Sequence, residues 1–356
     1  MPKRNLQTFS IISIISILIL LSPNSSALIL PVDTFPSEGT YSEEGGTTIL
    51  MEEYTATWCD ICKLTDPKLE QISSANKNRI ALVAVHPLDG VDTVSNMASA
   101  QRISRTMFST SSMTPSFMFD AELEREGAVE LIDIQSELLE AENNRKKYSK
   151  LDMNVSLKNM MKVTLVLNSD YNVNSTVLTI LITENNVAGN TALSLEDVDE
   201  FDRVLQALFI ANLTLLANSE NSDEIILPED YKTFGQYWGD GVNATMMLKK
   251  TGDDILLEVY FQAPSSWNLG NIGIIGAHEL VNSSTERVIS TLGAVQIIQL
   301  AISEKEDSSI WIIFMVTIFL TGFALAYIDK YINKNNTPKN TSPVINPIKS
   351  NHDLHH

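Results

Sequence analysis

Two cysteines are the residues of this chain best suited to carry out chemistry. Cys59 and Cys62 are the only cysteines among 356 residues. A strand-like segment over 47–57 precedes them and a helical pattern over 60–75 follows. This spacing predicts Cys59 at a helix N-terminus, where unpaired N–H groups and the helix dipole favour a thiolate. Cys62 lies one turn further on, within reach of a disulfide. The pair predicts a dithiol exchange centre. The alternative is a static disulfide, which closes too short a loop to add much stability.

The residues around the pair resemble a known family. The run from Trp58 to Leu64, with Pro67 beyond it, resembles the active-site helix of thioredoxins. The segment 113–119 contains Thr114-Pro115 and is similar to the thioredoxin loop whose proline is cis and faces the dithiol. Glu53 stands six residues before Cys59, where thioredoxins carry a buried acid. The resemblance covers about residues 45–150.

The resemblance implies catalytic roles for three residues. Cys59, exposed at the helix start, would be the nucleophile that attacks a partner disulfide, and Cys62 the resolving thiol that releases the product. Glu53 would take the proton of Cys62, with a pKa raised by burial. Its neighbour Glu52 must face the other side of the strand. The alternative is that both glutamates are ordinary edge carboxylates.

The same resemblance implies a place for the substrate. Trp58 would offer an apolar platform to a substrate chain, although plain core packing is the alternative. Thr114 and Pro115 would form a loop whose backbone pairs with an extended substrate.

His86, at the end of a strand, could assist proton transfer, but a surface histidine is the preferred interpretation. Asp60 departs from the family pattern. Its charge beside Cys59 opposes a thiolate and favours a reducing role.

The pattern of elements predicts an α/β thioredoxin fold followed by an all-β domain. Residues 47–150 show the order strand, helix, strand, helix, two strands and helix. Residues 151–300 show short β-branched segments between Asn, Asp, Ser and Gly clusters, typical of an antiparallel β-sandwich. The stretch 200–217 fits either helix or strand. No cysteine and no cluster of histidines occurs in 151–300.

The two ends of the chain predict export and membrane anchoring. Residues 1–27 are predicted to be a secretory signal peptide, with an uncleaved anchor as the alternative. Residues 28–46 are a predicted linker. The uncharged stretch 310–328 follows a juxtamembrane linker over 301–309 and predicts one transmembrane helix, the alternative being a buried soluble helix. Lysines follow it, so the tail 329–356 is predicted to be cytoplasmic. The result is a single-pass type I membrane protein whose catalytic domain is extracytoplasmic.

Composition narrows the choice of partners. A net charge of −19 argues against nucleic acid as a partner. Nothing calls for a cofactor or a metal, because histidines in the tail (His352, His355 and His356) are better explained as chance residues. Five Asn-x-Ser/Thr sequons predict a glycoprotein if they are used rather than accidental. They begin at Asn154, Asn174, Asn212, Asn243 and Asn282.

The sequence therefore predicts a membrane-anchored thiol–disulfide oxidoreductase that acts on thiols and disulfides of exported proteins. Reduction or isomerisation is favoured over oxidation. A reductant outside the cytoplasm needs electrons, so a membrane thiol relay is implied as its donor. The alternative is a non-catalytic cell-surface binding protein in which this fold serves as a scaffold.

Overall fold

The computed structural model of the protein describes residues 39–106, 113–145, 147–168, 173–190, 198–214, 216, 224–227, 235–298, 321, 324, 327 and 328. These residues form seventeen strands and three α-helices. The helices are α1 (Asp60–Ala75), α2 (Met97–Arg105) and α3 (Leu131–Asn144). The strands are β1 (Gly39–Gly45), β2 (Ile49–Tyr54), β3 (Ile80–Val85), β4 (Ser116–Phe119), β5 (Leu123–Glu126), β6 (Lys150–Leu157), β7 (Met161–Asn168), β8 (Thr176–Glu184), β9 (Val187–Asn190), β10 (Val198–Phe201), β11 (Val204–Asn212), β12 (Glu224–Leu227), β13 (Gly235–Gly239), β14 (Asn243–Thr251), β15 (Asp254–Gln262), β16 (Ile272–Val281) and β17 (Val288–Ile297).

A six-stranded antiparallel sheet has the order β1-β6-β7-β15-β14-β12. Its sequence alternates because only one of its faces is covered. In β7, for example, Met161, Val163, Leu165 and Leu167 are buried and the residues between them are partly exposed. The buried face packs on side chains of β8, β11 and β16, including Phe209.

A nine-stranded mixed sheet has the order β17-β16-β8-β11-β3-β2-β4-β5, with β13 also paired to β11. Strands β2 and β3 are parallel, and β3 is joined in parallel to β11 through Ala84 and Val204. Every residue of β8 is buried, which explains why that strand reads as a continuous run rather than an alternation.

The predicted fold class is wrong, and so is the assignment to the thioredoxin family on which it rested. The described chain is mostly β-strand with large sheets and only three α-helices among its described residues. Strands predicted to complete an α/β domain over 47–150 instead share a sheet with β8, β11, β16 and β17. One core joins Leu50 and Val83 to Leu181 and Leu208, so apolar packing crosses residue 150 without a break. The physical reason is that a local strand–helix–strand pattern does not show which further strand pairs with β3 in the sheet.

The first residues described also differ from the prediction. The predicted linker over 28–46 contains β1, which pairs along its whole length with β6. The sequence shows little apolar pattern there because β1 is an edge strand with mostly exposed side chains.

The predicted signal peptide over 1–27 lies outside the described residues. So does the predicted transmembrane helix over 310–328, except for Thr321, Ala324, Tyr327 and Ile328. Within the described part of the chain, no helix combines the length and apolar character that crossing a membrane requires. The chain divides into two units, Met1–Ser303 and Glu304–His356, and all seventeen strands belong to the first.

A buried ion-pair network ties distant parts of the nine-stranded sheet to α2. Arg102 donates from Nε and Nη2 to both carboxylate oxygens of Glu52, over 2.6 and 2.8 Å. It also donates from Nη1 and Nη2 to Glu279, over 3.1 and 2.6 Å. All three side chains are fully buried. Glu52 comes from β2 and Glu279 from β16, so a single guanidinium links segments 227 residues apart in the chain.

A second buried polar pair lies where β6 begins. His278 of β16 and Ser149 are joined between Nδ1 and Oγ over 2.7 Å, and both residues are fully buried. Burial lowers the pKa of His278 to about 4, although the neighbouring Glu279 opposes that shift. The folded protein therefore holds this imidazole neutral well below its usual pKa.

The His278 shift predicts acid sensitivity. Between pH 6.5 and 4 the unfolded chain binds a proton at His278 that the folded chain does not, so stability falls as pH falls through this window. We expect this residue to remove about 2 kcal/mol between pH 7.5 and pH 5. Urea unfolding of wild type and His278→Gln at both pH values measures it, with His352→Gln as the matched change in the tail. An unaltered pH dependence in His278→Gln would contradict the assignment.

Candidate functional site

The two cysteines lie at the start of α1 and are joined to each other. The S–S distance is 2.08 Å and the Cα–Cα distance is 5.2 Å. Cys59 is the N-cap residue of α1, with an extended backbone, and its Sγ accepts the backbone N–H of Cys62 over 3.1 Å. The cysteine therefore takes the capping role that a Ser or Asp side chain usually has.

The disulfide is nearly covered by protein. Cys59 is 4 % exposed and Cys62 is 1 % exposed, and the two pack with Ala56. The expectation of an exposed Cys59 is therefore not met in the disulfide-bonded form. A partner can reach this sulfur only through a narrow opening or after a local movement.

Trp58 is held beside the disulfide by the loop that follows β3. Its Nε1 donates to Asp89 Oδ2 over 2.9 Å, and the ring is 37 % exposed. Asp89 Oδ1 accepts the backbone N–H groups of Val91 and Asp92, each over 2.8 Å. Burial raises the pKa of Asp89, but these backbone bonds and the Trp58 bond outweigh it and lower the pKa.

Four large apolar side chains of α1 and of the loop that follows β3 are strongly exposed. They are Ile61, Leu64, Leu88 and Val91. With its ring partly exposed, Trp58 is not plain core packing, and the substrate platform stays a prediction.

Thr114 and Pro115 lie at the end of the sheet from which the cysteine loop departs. Tyr54 of β2 is paired with Ser116 of β4, so this register brings Pro115 opposite the residue that follows β2. The Thr114–Pro115 peptide bond is cis. Pro115 is buried and Thr114 half-buried, and the Pro115 carbonyl accepts the N–H of Gly127 over 2.8 Å.

Glu53 is buried on the face of β2 opposite that of Glu52. Glu52 faces α2 through Arg102, whereas Glu53 interacts with Asp66 of α1. Glu53 is 3 % exposed, so neither glutamate is an ordinary edge carboxylate. Burial raises the pKa of Glu53, and the negative charge of Asp66 raises it further. Burial also raises the pKa of Asp66.

His86 is not the surface histidine that the sequence predicted. It is fully buried, and its Nδ1 lies 2.9 Å from Asp92 Oδ2. Its ring meets that of Phe201 edge-on, with centroids 5.8 Å apart. Asp92 also accepts the backbone N–H of Thr57 through Oδ2 over 3.0 Å, so it couples the histidine to the turn before Cys59.

Glu53, Asp66 and His86 line a cavity of about 600 Å³. It lies between α1, the inner strands β2 and β3, and β10 with the turn that follows it. Its polar lining is mainly acidic. The lining residues are Glu53, Thr55, Lys63, Asp66, Pro67, Glu70, Leu82, Ala84, His86, Asp199, Glu200, Phe201, Asp202 and Arg203.

Three residues of this site were missed from the sequence. Asp89 and Asp92 are scattered acidic residues in a loop, and no local signal distinguishes them. Asp66 carried a signal, because it stands four residues after Cys62 on a predicted helix and therefore on the same face. Among the described residues, no group of three or more His, Cys, Asp or Glu side chains is arranged to hold a metal.

Comparison with solved structures yields distant structural likenesses. No family model and no curated protein matches the chain. HBP35 of Porphyromonas gingivalis is 16% identical, with a TM-score of 0.49, over 72% of this chain and 76% of that chain. A structural-genomics protein of Agrobacterium tumefaciens is 12% identical, with a TM-score of 0.43, over 71% of this chain and 95% of that chain. Both TM-scores are below 0.5, so neither likeness carries an argument about fold or function.

Proposed function

We propose that this protein catalyses thiol–disulfide exchange through Cys59 and Cys62. The observation that carries the proposal is that its only two cysteines are joined as a disulfide at the N-terminus of a helix. A helix N-terminus stabilises a thiolate, which is the attacking species in disulfide exchange. The buried carboxyl of Glu53, which interacts with Asp66 one turn of α1 after Cys62, can accept a proton when it is ionised.

The proposed substrates are thiols and disulfides of exported proteins. Trp58 and its exposed apolar neighbours would receive the polypeptide that carries them, and Thr114 and Pro115 would flank it. We keep reduction or isomerisation as the proposed direction, because Asp60 opens α1 beside Cys59. A membrane thiol relay is the proposed source of electrons. An extracytoplasmic location at the cell membrane likewise stays a proposal from the sequence.

A second candidate function is non-catalytic binding, and the near-complete burial of the disulfide favours it. In that case Cys59 and Cys62 only brace the start of α1. A variant that lacks residues 151–300 is not a suitable test of the binding candidate, because apolar side chains from both sides of residue 150 share one core. Thiol reactivity in the intact chain separates the two candidates.

The test is reduction of insulin by the full chain, with dithiothreitol as the source of electrons. We expect wild type to accelerate insulin precipitation, and Cys59→Ser to lose that acceleration by about a hundredfold or more, as removal of a nucleophile does. Circular dichroism of both proteins checks that the fold is retained. Equal rates for wild type and Cys59→Ser would overturn the catalytic proposal and leave the binding candidate.

A further inference from the structure

Asp66 lies one turn of α1 after Cys62. The two residues are four apart on α1, and side chains at this spacing lie on the same face about 5–6 Å apart. Cys62 is 1 % exposed, so water reaches its sulfur poorly. Asp66 Oδ1 is buried and has no hydrogen-bond partner among the described residues.

Glu53, on β2, faces Asp66 and also has a buried carboxyl oxygen. Its Oε1 is buried and, within the described part of the chain, has no hydrogen-bond partner. Two carboxylates that face each other in a buried site cannot both be charged without a large cost, so one proton is held between them. Burial and this proximity both raise the pKa of Glu53.

The cations that line the cavity are engaged elsewhere. Lys63 Nζ lies 3.3 Å from Asp199, and Arg203 Nε lies 3.3 Å from Glu70. Neither is paired with Glu53 or Asp66. A proton is therefore the positive charge that these two carboxyl groups can share.

We propose that Asp66 and Glu53 form one proton-sharing pair that accepts the proton of Cys62 during exchange and releases it through the cavity. This inference rests on the proposed function of Cys59 and Cys62. It assigns a role to Asp66, and it makes the cavity beside α1 the path of the proton to solvent.

The step balances as follows. The Cys59 thiolate attacks a disulfide R–S–S–R′, forms a Cys59–S–S–R bond and expels R′S⁻. The Cys62 thiol then gives its proton to the Glu53–Asp66 pair. The Cys62 thiolate attacks the Cys59 sulfur, closes the protein disulfide and expels RS⁻. The protein dithiol has lost two electrons, the substrate disulfide has gained them, and the pair holds one extra proton.

Other titratable groups face the pair and complete the path. His86, the residue directly after β3, lines the cavity, and among the described residues its Nε2 has no hydrogen-bond partner. Its Nδ1 is held by Asp92. The other charged side chains of the lining come from α1 and from β10 with its following turn, namely Lys63, Glu70, Asp199, Glu200, Asp202 and Arg203. A proton on Glu53 or Asp66 therefore meets water in an acidic opening.

The experiment follows oxidation of the reduced full chain by glutathione disulfide between pH 5.5 and 8.5. Attack by Cys59 alone is measured in a Cys62→Ser background, and closure of the protein disulfide in the native background. We expect Asp66→Asn to slow closure tenfold or more at pH 7 and to leave the Cys59 step within about twofold. The pH profile of closure should lose the inflection of the pair. Glu140→Gln, an exposed carboxylate on α3, is the matched control and should change neither step.

Glu53→Gln is the second variant, in case Asp66→Asn folds poorly. Because the two groups act as one unit, the double variant should be no slower than the slower single variant. Unchanged closure in Asp66→Asn, or equal slowing of both steps, would overturn the inference. If the effect on closure is present but insulin is not reduced, the inference stands and the proposed action on protein disulfides fails. If reduced wild type does not react with glutathione disulfide, both are overturned.

Discussion

Arg102→Ala is expected to destabilise the folded protein by about 3–5 kcal/mol, the cost of leaving buried charges without their partner. Glu52 and Glu279 are fully buried and both depend on this guanidinium. Thr179 Oγ1 still donates to Glu279 over 2.5 Å after the substitution, but a hydroxyl does not neutralise a carboxylate. Urea unfolding followed by circular dichroism measures the loss.

The stability that Arg102→Ala loses should depend on pH. Burial raises the pKa of Glu279, but the charge of Arg102 outweighs it and holds the pKa below its usual value. Without Arg102 the buried carboxyl of Glu279 takes up a proton more readily. The folded state of Arg102→Ala therefore binds more protons than that of wild type, and its loss of stability should be larger at pH 8 than at pH 5.

Arg105→Ala is the matched control on the same helix. Arg105 Nη1 lies 2.8 Å from Glu286, whose side chain is 54 % exposed, and a pair of that kind contributes about 0–1 kcal/mol. An Arg102→Ala loss no larger than that of Arg105→Ala would show that the buried network does not hold the sheet to α2. If Arg102→Ala does not fold, adding Glu52→Gln and Glu279→Gln should restore part of the stability, because neutral amides need no cation.

Cys62→Ser is expected to trap a covalent complex between this protein and its substrate. The proposed roles make Cys59 the attacking sulfur and Cys62 the group that releases the product. Without Cys62 the mixed disulfide on Cys59 persists. Insulin turnover should fall by about a hundredfold or more, while a one-to-one adduct with an insulin chain accumulates. Non-reducing electrophoresis and mass spectrometry measure it.

Cys59→Ser is the matched control, since it removes the other sulfur by the same change. It should form no adduct, and neither should the double serine variant. The positions of the sulfurs support this asymmetry, because Cys59 caps the N-terminus of α1 and Cys62 lies inside the helix. An adduct on Cys62 in Cys59→Ser, with none in Cys62→Ser, would reverse the assigned roles.

Most individual elements could be predicted from the sequence, because their signals act over a few residues. The helix expected over 60–75 has the observed bounds of α1, and its start is defined by Cys59 as N-cap. Alternation in β7 and β15 comes from one covered face and is visible as a period of two. The short strand β13 was missed, because Gly235–Gly239 carries two glycines and no alternation of buried and exposed residues.

The fold class could not be predicted in the same way. Strand β3 is joined to β11 through one pairing of Ala84 with Val204, and these residues are far apart in the chain. A strand's own sequence shows which faces are covered, but not which strand lies beside it. The thioredoxin-like interpretation therefore assigned the right local elements to the wrong architecture.

The sequence by itself determined the cysteine pair, because Cys59 and Cys62 are the only cysteines and their spacing at a helix start puts them within reach of a disulfide. Only the tertiary structure decided the surroundings of that pair. The contact of Asp66 with Glu53 and the burial of His86 arise where α1, β2 and β3 pack together. Burial and charge pairing depend on which segments pack together. Contacts between residues that are distant in the chain produce no local sequence pattern.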